Sequence, residues 1–222
     1  MKKVINIAHR GFTRVHPDNT LEAFQAALDL GVDGVEFDVQ ETADGAFVVF
    51  HDDDYAGKPF SGMRLEEARL IRLRDTYRVP TLEEALQLLG GKGILLVELK
   101  QVRSVEKLIS MLRSHTDMSK TAIVSFSREM IDRVGELSPD VMRVVIGGKP
   151  VEAGQAAPGR FIGLSCAEVT GEAVEKAHAA GSLVFIWDCH SEAGVRRALS
   201  FDIDGIISDY PDVVMEVTDS SK

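Results

Sequence analysis

Short apolar runs alternate with amphipathic segments along almost the whole chain, and this rhythm restricts the fold more than any other feature. Apolar runs read as strands cover residues 4–8, 35–39, 47–50, 94–99, 122–126, 142–146, 161–165, 183–187 and 205–208. Helical patterns lie between most of them, at 21–30, 82–89, 105–114, 129–137, 171–180, 192–199 and 211–217. Thr81, Ser127 and Ser191 stand where N-caps belong, each with an acid close behind. Gly31 and Gly181 stand where a helix ends in the left-handed conformation. One pair of runs breaks the rhythm. The loop between Val39 and Phe47 contains Asp44-Gly45 and is too short for a βα crossover, which takes at least about 10–12 residues. An Asp-Gly turn between apolar runs predicts a hairpin, which folds His51 across from the Glu36–Asp38 stretch. Setting the antiparallel strand aside leaves eight parallel strands. The expected fold is α/β, a TIM (β/α)8 barrel with one extra hairpin strand and a short insertion after it. The competing architecture, an open doubly wound sheet, favours a GxGxxG loop after its first strand, and none is present.

Composition fits one globular unit. Of 222 residues, 45% are hydrophobic and 27% charged, a balance that excludes disorder for the bulk of the chain. We expect a single catalytic domain over 1–217 and a solvated tail over 218–222. The formal charge of −10 argues against a general affinity for nucleic acid or anionic membrane. No apolar run approaches the roughly 18 residues of a membrane span, and Lys2-Lys3 leads into a strand rather than a signal peptide. Cys166 and Cys189 lack metal-ligand spacing and read as free thiols in a reducing cytosol, so the expected location is cytoplasmic.

In such a barrel, reactive groups gather where the strands end. Strand one ends in His9-Arg10-Gly11, and the second carries Glu36 and Asp38. The hairpin strand runs into His51-Asp52, and the next parallel strand ends in Glu98-Leu99-Lys100. Glu36 and Asp38 are two apart and point to one side of their strand, away from Val35, Phe37 and Val39. Carboxylates crowded into a barrel mouth repel unless a cation binds them. With Glu98 they form a hard oxygen set suited to one divalent cation, Mg²⁺ or Ca²⁺ first and Mn²⁺ as an option. The alternative is a salt-bridge ring with Arg10 and Lys100. His9 and His51 flank the acids as a base and an acid, whereas His16, His115 and His178 read as structural. Arg10 and Lys100 add the positive charge that a phosphoryl substrate requires. Ser208 and Asp209 precede a helix near Pro211 and read as capping residues.

These residues resemble the glycerophosphodiester phosphodiesterases. The resemblance runs through His9-Arg10-Gly11, the segment Pro17-Asp18-Asn19-Thr20-Leu21-Glu22-Ala23-Phe24, then Gly34-Val35-Glu36-Phe37-Asp38-Val39, Asp44-Gly45 and His51-Asp52. It continues through Pro80-Thr81-Leu82-Glu83-Glu84-Ala85-Leu86, Glu98-Leu99-Lys100, Ser125-Phe126, Trp187 and Gly205-Ile206-Ile207-Ser208-Asp209-Tyr210-Pro211. It implies a TIM barrel that hydrolyses glycerophosphodiesters to sn-glycerol 3-phosphate and an alcohol with a divalent cation. It implies metal ligation by Glu36, Asp38 and Glu98, acid–base work by His9 and His51, and phosphate contact by Arg10 and Lys100. Phe126 and Trp187 lie at strand ends and read either as core or as walls for the glycerol or alcohol moiety; for Trp187 the resemblance favours the wall. Asp18 replaces the family's usual glutamate, Asp188-Cys189-His190 replaces a common Thr-Val-Asn, and the segment from Asp52 to Arg64 is short. The alternatives are a lysophospholipase D-like or other phosphodiesterase on the same centre, and a non-catalytic barrel that binds a phosphate ligand.

Overall fold

The computed structural model describes residues 3–146 and 161–219. The chain opens with β1 (Ile5–His9), α1 (Leu21–Leu30), β2 (Gly34–Glu41) and β3 (Phe47–Val49). Small elements follow: β4 (Asp54–Tyr55), β5 (Lys58–Pro59), α2 (Leu65–Ala68), β6 (Arg72–Leu73) and β7 (Tyr77–Arg78). The alternation then resumes with α3 (Leu82–Leu89), β8 (Ile94–Leu99), α4 (Val105–His115), β9 (Thr121–Ser125), α5 (Arg128–Leu137) and β10 (Met142–Val145). It closes with β11 (Phe161–Ser165), α6 (Gly171–Ala179), β12 (Leu183–Cys189), α7 (Glu192–Ala198), β13 (Gly205–Ser208) and α8 (Pro211–Asp219).

Eight strands pair in parallel in the order β10-β9-β8-β2-β1-β13-β12-β11, and β3 lies antiparallel on β2. This is the expected TIM barrel with its extra hairpin strand. No ladder joins β10 to β11 among the described residues, and residues 147–160 between them are outside the description. The core forms two shells. Inside the barrel, Ile7, Leu96, Val124, Phe161, Phe185 and Ile207 pack together. Outside it, residues of opposite parity such as Phe37, Val97 and Ile123 meet the helices. Strands buried on both faces are continuously apolar, which is why they could be read from sequence.

The helix signals act as expected. Thr20, Thr81, Ser127, Thr170 and Ser191 each accept a backbone N–H from the first turn that follows. Gly31 ends α1 at φ 88°, where its N–H reaches two carbonyls of the last turn. Helix α8 includes Thr218 and Asp219, so it runs two residues past the boundary expected for the tail. The insertion was not resolved into elements by the sequence. Its two-residue strands and single helical turn gather over Val48, Phe60, Met63, Ala68, Ile71 and Val79.

Candidate active site at the C-terminal ends of the strands

Strand β2 is buried along all eight residues although four of them are polar. Register explains how these are used. Glu36 lies beside His9 of β1, and Asp38 lies beside Glu98 of β8, so the three carboxylates share one layer above the apolar interior. One oxygen from each lies within 4.8 Å of the other two, and the cluster could hold a metal ion. Glu36 Oε1 is buried without a hydrogen-bond partner, a costly state for a carboxylate oxygen and one that a cation would relieve. All the donors are carboxylate oxygens, which fits a hard divalent ion.

The electrostatics agree with that fit. Burial raises the Glu36 pKa well above its ordinary value, and the neighbouring charges of Asp38 and Glu98 push it further up. Burial and Asp38 also raise Glu98, against the pull of Lys100. Lys100 Nζ lies 2.5 Å from Glu98 Oε1 and 3.3 Å from Asp38 Oδ1. Burial works against its charge, but those two carboxylates outweigh it and raise its pKa.

The loop after β1 completes the layer. Arg10 takes φ 57°, in the left-handed region, which aims its N–H at Glu36 Oε2 at 3.1 Å. Its Nε lies 3.2 Å from Asp38 Oδ2. Asn19, also left-handed at φ 55°, donates its N–H to the Arg10 carbonyl and its side-chain amide to Asp38 Oδ2 at 2.7 Å. The Asp38 N–H donates back to Asn19 Oδ1. Asn19 fixes the turn and also clamps a carboxylate of the cluster.

His9 is held between two acids. Its Nδ1 lies 2.7 Å from Asp209 Oδ1, and its Nε2 lies 3.8 Å from Glu36 Oε2. Asp209 therefore orients His9, which corrects the capping role expected for it. The capping expectation followed from chain proximity to α8, whereas barrel closure brings Asp209 to a residue 200 positions away. Burial opposes Asp209 ionisation, but hydrogen bonds and charge from His9 and His190 outweigh it and lower its pKa. An ionised carboxylate only accepts, so neutral His9 carries its proton on Nδ1 and its lone pair on Nε2. Ser208 donates to the Cys189 carbonyl and accepts the Tyr210 N–H.

His51 follows β3, whose next residue, Phe50, donates its N–H to the Asp38 carbonyl. The His51 Nδ1 lies 2.7 Å from Asp52 Oδ1. Its backbone is tied by Gln40, fully buried on β2. The Gln40 amide donates to the Asp52 carbonyl at 2.8 Å and reaches the His51 carbonyl at 3.4 Å, while its Oε1 accepts the Gln101 N–H. One side chain thus joins the His51 loop to the Lys100 loop.

Phe126 is 52% exposed and is therefore not part of the core. It lies edge-on to Trp187 with centroids 6.0 Å apart, and Lys100 Nζ sits 5.6 Å from its ring centre. His16, His115 and His178 are engaged elsewhere, with Tyr77, Met111 and Asp204 among their partners. Cys166 and Cys189 are both buried. No helix among the described residues is long and apolar enough to cross a membrane.

Comparison with known proteins gives the family and the fold. The model of the glycerophosphoryl diester phosphodiesterase family matches residues 9–213. A glycerophosphodiester phosphodiesterase of Caldanaerobacter subterraneus subsp. tengcongensis is 29% identical, covering 97% of this chain and 98% of that protein. One from Bacillus altitudinis is 26% identical over 97% and 98%. The crystal structure of glycerophosphodiester phosphodiesterase from Agrobacterium tumefaciens superposes with a TM-score of 0.82 at 28% identity, covering 97% of this chain and all of that one. A phosphodiesterase from Oleispira antarctica, solved in complex with the product sn-glycerol-3-phosphate, shares the fold with a TM-score of 0.86 at 23% identity, covering 96% of each chain.

Proposed function

The chain belongs to the glycerophosphoryl diester phosphodiesterase family, and on that premise we propose that it hydrolyses glycerophosphodiesters to sn-glycerol 3-phosphate and an alcohol by cation-assisted histidine acid–base catalysis. The observation that carries this reading is the single layer holding Glu36, Asp38 and Glu98 beside His9, Arg10 and Lys100.

Glu36, Asp38 and Glu98 would hold one divalent cation, Mg²⁺ or Ca²⁺ before Mn²⁺. Bound there, the cation supplies Lewis-acid polarisation of a phosphate oxygen and of the glycerol 2-hydroxyl. His9 Nε2, whose lone pair is set by the Asp209 bond at Nδ1, accepts the proton of that hydroxyl as it attacks phosphorus. His51 gives its proton to the departing alcohol oxygen as the P–O bond breaks. Water then opens the resulting cyclic phosphate with the two histidines exchanging roles. Arg10 and Lys100 stabilise charge on the remaining phosphate oxygens, and Phe126 and Trp187 wall the glycerol or alcohol moiety.

The test is release of glycerol 3-phosphate from glycerophosphocholine and glycerophosphoethanolamine, in EDTA and with each cation. Release should require a cation and vanish in Glu36→Ala. A folded protein that released none with any cation would overturn the substrate assignment and point to a lipid or other diester.

A further inference from the structure

Asp209 is a shared residue. Its Oδ1 orients His9, and its Oδ2 pairs with Nδ1 of His190 at the end of β12. The two rings stand 5.9 Å apart, tilted by 51°. One donor atom from each of His9, His190 and Asp209 lies within 4.8 Å of the other two. This trio is on the far side of His9 from the three carboxylates, because the opposite ring nitrogen faces Glu36. Its chemistry differs too: the first cluster offers only oxygen, whereas this one offers two imidazoles and one carboxylate.

Orienting His9 needs only one oxygen of Asp209. A second imidazole on the other oxygen makes the donor set of a three-ligand zinc centre with a fourth position open. Imidazole favours zinc-class ions, while Mg²⁺ and Ca²⁺ prefer oxygen. We propose that His9, His190 and Asp209 form a second cation site, selective for zinc-class ions, whose occupation turns the enzyme off.

Donors around a tetrahedral zinc lie on the order of 3.4 Å apart, so the His9–Asp209 contact of 2.7 Å must open as an ion enters between the donors. His190, 57% exposed, has the freedom to readjust around it. Inhibition follows from the tautomer. Neutral His9 carries one ring proton, on Nδ1, and accepts with Nε2. A cation bound at Nδ1 displaces the hydrogen bond to Asp209, and the proton relocates to Nε2. That nitrogen then has no lone pair with which to take the substrate's proton. This inhibitory consequence rests on His9 being the base; cation binding at the trio does not.

The test uses full-length protein saturated with Mg²⁺ and titrated with Co²⁺, a spectroscopic stand-in for zinc, and separately with Zn²⁺. One equivalent of Co²⁺ should give the visible absorption of a low-coordinate site and resist excess Mg²⁺, and Zn²⁺ should suppress turnover. His190→Asn should abolish the absorption and weaken zinc inhibition at least about tenfold, each protein being compared with its own zinc-free rate. An unchanged cobalt band in His190→Asn, or displacement of cobalt by Mg²⁺, would overturn the proposal by placing the ion on the carboxylates. A wild-type protein that turns over normally but shows no cobalt band loses the second site and keeps its proposed reaction. A His190-dependent band in a protein without turnover does the reverse.

Discussion

The two histidines assigned to proton transfer are held in opposite ways. His9 ends a barrel strand, is 16% exposed, and takes its partner from the residue that follows β13, the last strand in the chain. His51 follows a three-residue hairpin strand, is 36% exposed, and takes its partner from the next residue, itself 71% exposed. Closure of the barrel fixes the first ring. The second ring is fixed through its backbone, by the amide of Gln40. For the roles proposed, the base that must keep one tautomer is built into the frame, and the acid sits where the frame gives way to loops.

The comparison fails outright if either histidine is dispensable. His9→Ala and His51→Ala should each lower kcat by about 10³-fold or more with cation affinity kept, measured by turnover and calorimetry. Near-normal turnover in either variant would remove that residue from proton transfer. The partners should separate the two arms. Asp209→Asn should cost on the order of 10²-fold in kcat, because the imidazole loses the anion that sets its tautomer. Asp52→Asn should cost less than about threefold, as expected of an exposed pair. Equal losses would show that His51 depends on its side-chain partner as strongly as His9 does.

Gln40→Leu should lower kcat by about tenfold with little change in KM and also lower Tm. It removes the side-chain partner of the Asp52 carbonyl and of the Gln101 N–H, hydrogen bonds worth about 0.5–1.5 kcal/mol each. A change in Tm alone would make Gln40 a scaffold residue only. The smallest effect is on acid stability. The Asp209 pKa is depressed in the folded state, so its contribution is present above the unfolded carboxylate value of about 3.9 and is lost as pH falls through the folded value. Acid unfolding followed by circular dichroism should therefore be less steep in Asp209→Asn than in wild type.

Much of this was legible in the sequence because most barrel strands are apolar runs and charged residues recur at i, i+2 on two of them, Glu36 with Asp38 and Glu98 with Lys100. Thr81, Ser127 and Ser191 marked their helices because capping is local chemistry. Residues 52–80 were not legible as elements. Strands of two residues and a helix of four carry no period, and a shared apolar cluster holds them rather than any local propensity. Asp209 was misread for a related reason: its partner is near only once the first and last strands lie side by side. Gln40 gave no signal, since nothing distinguishes a buried amide that ties two loops from an exposed one until the loops are placed.

Below the carboxylates, the described interior is filled by Ile7, Leu96, Val124, Phe161, Phe185 and Ile207. Among the described residues, the carboxylate layer therefore rests on an apolar floor. In the proposed reaction, substrate and products would exchange above that floor, over the C-terminal ends of the strands. For the reaction proposed, glycerol 3-phosphate keeps the phosphate that Arg10 and Lys100 attract and must vacate that position before another diester can dock. Kinetically, this makes it a competitive inhibitor of its own formation, and turnover in a closed vessel slows as it accumulates, even while substrate remains plentiful.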